Sequence, residues 1–226
     1  FWLEQALRDE HAPPAPPLAG PVQADVCIVG GGYTGLWTAL QIKRQAPAKD
    51  VVLLESDICG AGASGRNGGC VLSWATKFMT LCRLFGLDEA VRLVRASEQA
   101  IDDIGAFVRE HRIDCDFRRE GVLYTATADA QVGSADTVIG ELAAHDLNSY
   151  ITLPVDEARR KSGTRRTLAG VFSPRGATVQ PARLVRGLRR VAIEMGVRIY
   201  EHSPIVAVEQ SRKPRVRTAR GSVEAD

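Results

Sequence analysis

The chain has 226 residues, 45% of them hydrophobic and 25% charged, and its 29 Lys and Arg nearly balance 27 Asp and Glu for a net charge of +2. That composition belongs to a folded globular protein and excludes disorder and collagen-like repeats. So small a net charge gives no bulk attraction to nucleic acid or to an anionic membrane, and no apolar run approaches the roughly 20 residues that cross a bilayer.

Residues 1–10 predict a short amphipathic helix. The Pro-rich stretch 11–17 predicts an extended arm, with a PxxP ligand as the other reading of its prolines. From Asp25 the pattern sharpens. Val26 to Val29 is a continuous apolar run, as in a strand buried on both faces of a parallel sheet. The chain then turns through Gly30 to Gly35, enters a helix over 36–45 that Pro47 ends, and returns as a second apolar strand from Val51 to Leu54. Strand, glycine turn, helix and strand within about 30 residues make a βαβ unit. Beyond it, residues 60–70 are glycine-rich, 88–111 predict one long amphipathic helix, 115–127 a strand pair about Gly121, and 130–145 another helix. A short helix over 155–162 precedes strand-like sequence over 168–180, with a turn at Pro174 to Gly176. Pro181 at a first helical position opens a helix to Met195 that Gly196 stops. Strands are expected at 197–200, 205–208 and 215–218. The expected segmentation is an arm over 1–22, a nucleotide-binding segment over 23–80, part of a second domain over 81–177, and a return to the first domain over 178–226.

Three constellations carry chemistry. The first is Gly30-x-Gly32-x-x-Gly35 between a strand and a helix. Gly30 permits the turn, Gly32 lets the backbone approach a pyrophosphate at the helix N-terminus, and Gly35 lets helix and strand pack closely. Tyr33 and Thr34, inside the turn, are counted with these glycines as candidate cofactor contacts. A purely structural glycine turn is the alternative. The second is Glu55, 20 residues past Gly35 at the end of the second strand. A carboxylate there accepts hydrogen bonds from ribose hydroxyls and repels a 2′-phosphate; a solvated strand-end glutamate is the plainer reading. The third is the loop from Ala63 to Gly69, in which Gly65, Gly68 and Gly69 allow close approach of a planar ligand while Ser64, Arg66 and Asn67 offer donors. Taken alone it is equally a flexible surface loop. A simple NAD domain gives no reason for it, so it favours FAD.

The five cysteines show no C-x-x-C spacing, which removes support for a metal ribbon or dithiol centre and leaves mostly buried, reduced thiols in a cytoplasmic protein as the expectation. Cys70 reads as a bystander next to the loop. His11, His111, His145 and His202 fall at helix ends or in connectors and read as surface residues, and no metal site is expected.

The stretches 24–39, Leu53 to Glu55 and Gly60 to Gly69, whose end reads Gly-Ala-Ser-Gly-Arg-Asn-Gly-Gly, together resemble the FAD-dependent D-amino-acid oxidase/glycine oxidase family, and that loop resembles its γ-glutamylputrescine oxidase-like branch. Residues 178–208 extend the resemblance, which covers roughly 20–226 and holds only in general layout over 75–170. It implies an α/β fold: a Rossmann-like FAD-binding domain with a βαβ parallel sheet, plus part of a mixed-sheet substrate domain. The segment 196–208 should supply the third strand of the FAD sheet, with Ile205 where the family has a residue whose backbone contacts adenine. The implied activity is oxidation of the C–N bond of a small amine or amino acid, hydride passing to flavin N5 and dioxygen or another acceptor reoxidising the flavin. That chemistry belongs to the cofactor, so no catalytic side chain is assigned. Family features that should follow Asp226 are absent, and the expectation is an N-terminal portion of a longer enzyme. An NAD-dependent dehydrogenase and a non-catalytic nucleotide-binding fragment are the alternatives.

Overall fold

The computed structural model describes residues 1–10 and 13–226; His11 and Ala12, within the Pro-rich arm, lie outside the described residues. In chain order the elements are α1 (Trp2–Arg8), β1 (Gly20–Ala24), β2 (Val26–Val29), α2 (Tyr33–Gln45), β3 (Val51–Leu54), β4 (Cys70–Leu72), α3 (Phe78–Phe85), α4 (Leu87–Glu110), β5 (Val122–Ala126) and α5 (Asp136–Ala144). There follow β6 (Ile151–Leu153), α6 (Val155–Ser162), β7 (Ala169–Ser173), β8 (Gly176–Thr178), α7 (Pro181–Glu194), β9 (Arg198–Tyr200), β10 (Ile205–Glu209), β11 (Arg215–Thr218) and β12 (Gly221–Ala225). The chain divides into two compact units, Phe1–Gly68 with His111–Cys115 and Gln180–Asp226, and Gly69–Glu110 with Asp116–Val179. The described residues 1–10 and 13–22 fall in the first unit, and the chain first passes between units after Gly68.

The first unit is α/β and contains the βαβ motif. Its parallel sheet runs β2-β3-β9, with Val26 opposite Val51 and Leu53 opposite Ile199. All four residues of β3 are buried, as a central parallel strand requires. β2 departs from the expectation of burial on both faces. It is an edge strand, none of its residues is fully buried, and Val29 is 52% exposed. The second sheet runs β1-β12-β11-β10, with β1 parallel to β12 and the other pairs antiparallel. Between the sheets Leu18, Ala24, Val52, Leu54, Val216 and Val223 form one buried cluster. Helices α2 and α7 pack together, and α7 starts as expected, with Pro181 at its first turn and the Gln180 side chain capping the Arg183 N–H at 2.7 Å.

The second unit holds an antiparallel sheet, β5-β7-β6, and the β4–β8 pair. Helices α3, α4 and α5 enclose Ala75, Phe78, Leu81, Ala90, Val94, Leu142 and Leu147. The strand pair expected about Gly121 is a single strand, β5, preceded by an isolated bridge from Arg118 to Thr178. Residues 116–120 lack the alternating apolar positions that would make a second strand. The helix expected over 130–145 is broken by Gly133 at φ 75°, leaving a short 3₁₀ turn at Asp129–Gln131 and then α5. Among the described residues no helix is long and apolar enough to cross a membrane.

Candidate functional site

Two glycine turns come together beyond the carboxyl ends of β2 and β3, the edge at which open parallel sheets take ligands. The first leaves β2 at Gly30, whose φ of 106° suits a residue without a side chain. It closes at Gly35, where a Cβ would lie 1.9 Å from the Gly30 carbonyl oxygen. The start of α2 is thereby pressed against the turn. The first N–H groups of a helix have no intrahelical acceptor and form its positive end. Here the Tyr33 N–H donates to Ser64 Oγ at 2.9 Å. The Thr34 and Gly35 N–H groups complete that first turn, and Thr34 is exposed.

The second turn repeats the closure. A Cβ on Gly65 would lie 2.2 Å from the Gly60 carbonyl oxygen. Ala63–Gly65 is a single 3₁₀ turn, and Asn67 Nδ2 folds back onto the carbonyl oxygens of Ala63 (3.2 Å) and Ser64 (3.0 Å). Arg66, Asn67 and Gly68 are exposed at its tip. Gly32 faces the second turn: a Cβ on it would lie 2.9 Å from Ser64 Oγ.

Glu55 lies against the first turn. Its Oε2 accepts from the Gly31 N–H at 2.7 Å, and its Oε1 accepts from Ser56 Oγ at 2.9 Å and the Asp57 N–H at 3.0 Å. Its backbone is tied to the end of β9 and the segment after it, the N–H donating to the Tyr200 carbonyl and the carbonyl accepting from the Ser203 N–H. The Tyr33 hydroxyl donates to the Pro181 carbonyl at 2.8 Å and also meets the side chain of Asn67 in the second turn; burial pushes its phenol up to about 12, so it stays a proton donor. Tyr33 thus links the two turns through its backbone and its side chain.

The cofactor candidates singled out in the sequence lie on these turns or at Glu55, Gly69 and Ile205 excepted. Gly69 belongs to the second unit, where its carbonyl accepts from the Val179 N–H. Ile205 is on β10, in the sheet of mixed direction, rather than on the third strand of the parallel sheet. That strand is β9 alone, because the chain turns away at His202, with φ 51°, and Pro204. Ile205 packs against the cluster that contains Val52 and Leu54, next to Glu55.

The expectation of mostly buried thiols holds for Cys59 and Cys115; Cys27 and Cys82 are half-buried and Cys70 is exposed. Burial pushes the Cys59 thiol far up and that of Cys27 up to about 11, so neither is a nucleophile at neutral pH. Among the described residues no group of His, Cys, Asp or Glu is placed to hold a metal ion.

Sequence reasoning missed five residues that hold the turns: Gly31, Cys59, Arg186, Arg189 and Glu201. Two signals were available. Glu201 follows a parallel strand as Glu55 does, and Arg186 and Arg189 stand three apart on the apolar face of α7.

The arrangement fits a dinucleotide. Two glycine closures and a helix N-terminus face one another, with a fixed carboxylate beside them and Arg66 exposed at the surface, within reach of a phosphate.

Residues 25–226 match the family model described as DAO, FAD dependent oxidoreductase. Among curated relatives, the chain is 31% identical over 205 residues to γ-glutamylputrescine oxidoreductase of Escherichia coli K12, covering 90% of this chain and 47% of that protein. It is 30% identical over 213 residues to the probable oxidoreductase OrdL of Haemophilus influenzae, covering 92% and 48%. The chain therefore spans about half the length of the curated relatives it matches. Its fold is similar to that of glycine oxidase from Geobacillus kaustophilus, with a TM-score of 0.75 at 19% identity, over 90% of this chain and 54% of that one.

Proposed function

Because this chain belongs to the DAO family of FAD-dependent oxidoreductases, we propose that its paired glycine turns hold FAD and that the intact protein oxidises the C–N bond of a small amine or amino acid. The observation that carries this reading is the convergence on one helix start of the Gly31 N–H bonded to Glu55 and the Tyr33 N–H bonded to Ser64.

In this reading Gly30, Gly32 and Gly35 keep the backbone close to the pyrophosphate, with the Thr34 and Gly35 N–H groups aimed at it. Ser64 already accepts from Tyr33 and keeps its own proton to donate. Glu55 is fixed by its bonds to Gly31 and Asp57 and receives the ribose hydroxyls. Arg66 and Asn67 add charge and donors at the loop tip, and Gly68 leaves the space open there. Ile205 lines the adenine end through its backbone. When bound, FAD supplies the acceptor for hydride from the carbon that bears the nitrogen. Dioxygen or another acceptor takes the electrons onward.

The E. coli relative is named for an amine, which supports an amine or amino acid as the substrate class. Five free thiols suit the reducing cytoplasm. The test is an anaerobic titration of the FAD-loaded intact protein with a panel of small amines and amino acids. Bleaching of the flavin absorbance by at least one of them is expected. A panel that leaves bound flavin fully oxidised contradicts the assignment.

A further inference from the structure

The first unit holds a four-charge cluster, buried at Arg186, Arg189 and Glu201 and half-buried at Glu10, that no part of the cofactor site uses directly. Arg189 is completely buried and Glu201 is 1% exposed. Glu201 Oε1 accepts from Arg186 Nη1 (2.9 Å), Arg189 Nε (3.1 Å) and the Cys59 N–H (2.8 Å), while Oε2 accepts from Arg189 Nη2 (3.0 Å) and the Ala15 N–H (3.2 Å). On the other side of the cluster, Glu10 takes Arg186 through Nε at 2.6 Å and Nη2 at 2.8 Å, and Arg189 Nη1 at 3.4 Å. The Pro13 carbonyl accepts from Arg189 Nη2 at 3.1 Å. Two arginines on α7 therefore join the N-terminal arm to the end of β9.

Both backbone groups of Cys59 end in this cluster. Its N–H goes to Glu201, and its carbonyl accepts from Arg186 Nη1 at 3.1 Å. The same residue braces the first glycine turn. Cys59 Sγ sits 2.5 Å from where a Cβ on Gly31 would be, and the next N–H, that of Gly60, donates to the Gly31 carbonyl at 3.1 Å. Gly31 in turn donates to Glu55. A chain of direct contacts thus runs from Glu10 through Arg186 and Glu201 to Cys59, Gly31 and Glu55, and Gly60 opens the second turn.

Buried ion pairs are poor sources of stability, because desolvation offsets most of their attraction, whereas well-connected ones can fix a single geometry. We propose that Glu201, held by Arg186 and Arg189 and completed by Glu10, is a positioning residue for the dinucleotide: it fixes the Cys59–Gly60 peptide on which the first turn rests and so couples the N-terminal arm to cofactor affinity. This rests on the FAD reading above. Coupling is reciprocal, so FAD must also steady the arm, which a merely structural cluster does not require.

The experiment uses the full chain with FAD and with ADP, which carries only the pyrophosphate and adenosine half. Glu201→Gln, assayed at a temperature where circular dichroism shows it folded, weakens FAD and ADP by the same factor, about tenfold. Glu10→Gln, at the far end of the cluster, weakens both in the same direction and by less. In the parent, FAD slows hydrogen exchange at the Ala15 amide. A folded Glu201→Gln whose FAD affinity stays within about twofold of the parent, below the usual range of coupling, overturns the proposal. Should Glu201→Gln not fold, Glu10→Gln decides, and unchanged affinity together with unchanged exchange at Ala15 overturns it. A parent that takes up no FAD is a separate result: it removes the FAD reading itself, and this inference with it.

Discussion

The two glycine turns share one closure and differ in what holds them. In each, the last glycine sits over the carbonyl of the glycine five positions earlier, at 1.9 Å for Gly35 over Gly30 and 2.2 Å for Gly65 over Gly60, measured from an added Cβ. The first turn is built by its neighbours in sequence, leaving β2 and entering the thirteen residues of α2. The second has only a three-residue 3₁₀ turn of its own. Its support comes from α7, more than 110 residues later: a Cβ on Gly60 would lie 2.3 Å from Val185 Cγ1, and one on Gly65 lies 3.6 Å from the Ala182 Cβ. Its backbone is held further by Glu201 and Arg186 through Cys59. The same local geometry is thus reached once by secondary structure and once by tertiary packing.

That difference can be broken at graded points. The largest effect is expected for Gly35→Ala, because backbone meets the new methyl on the first turn and α2 must move off the strand. A loss of about 3 kcal/mol or more is expected in urea unfolding, at the upper end of overpacking effects. Acid acts through Glu201, which holds the second turn by way of Cys59 and, through the Cys59–Gly60 peptide, also braces the first. Burial by itself raises the Glu201 carboxyl, but the Cys59 N–H and the charges of Arg189 and Arg186 more than offset it and hold the group at about 2 against an ordinary 4.5. Its contribution is full above pH 4.5 and is lost as the pH falls toward 2. Of order 3 kcal/mol depends on it, and Glu201→Gln should flatten that part of the stability–pH curve. Gly65→Ala ranks next, at about 2 kcal/mol, since its short turn yields more readily than a helix packed on a sheet. Gly68→Ala is expected to change stability by no more than about 0.5 kcal/mol, because nothing lies within 4 Å of the added methyl. A large loss there, or none at Gly35, would invert the comparison.

The contrast also explains what the sequence revealed. The first turn, α2, β3 and Glu55 were legible because each signal lies within a few residues of the next: an apolar run, three glycines, a helix stopped by proline, a second run and an acid. The start and end of α7 were legible for the same reason, through Pro181 and Gly196. The pairing of β1 with β12 joins Gly20 to Gly221 across the chain, and neither strand has an apolar pattern that names its partner. The arm looked featureless because prolines hide its backbone roles, yet Pro13, Ala15 and Leu18 all bond into the first unit. Glu201 is an ordinary strand-end glutamate until α7 brings Arg186 and Arg189 to it. Glu55 and Glu201 have the same local context, an acid after a parallel strand. One faces the glycine turn and the other is buried beneath it, and only packing tells them apart.

The central claim is that both turns are built for FAD. It is tested most directly by equilibrium titration of the full chain with FAD and with NADH in parallel, alongside Gly32→Val. The parent is expected to keep a flavin spectrum through gel filtration and to bind FAD far more tightly than NADH. Gly32→Val, whose Cβ would crowd Ser64 Oγ at the point where the two turns meet, is expected to lose the flavin while remaining folded. A parent that stays colourless after incubation with FAD, or a folded Gly32→Val that retains flavin as the parent does, would contradict it.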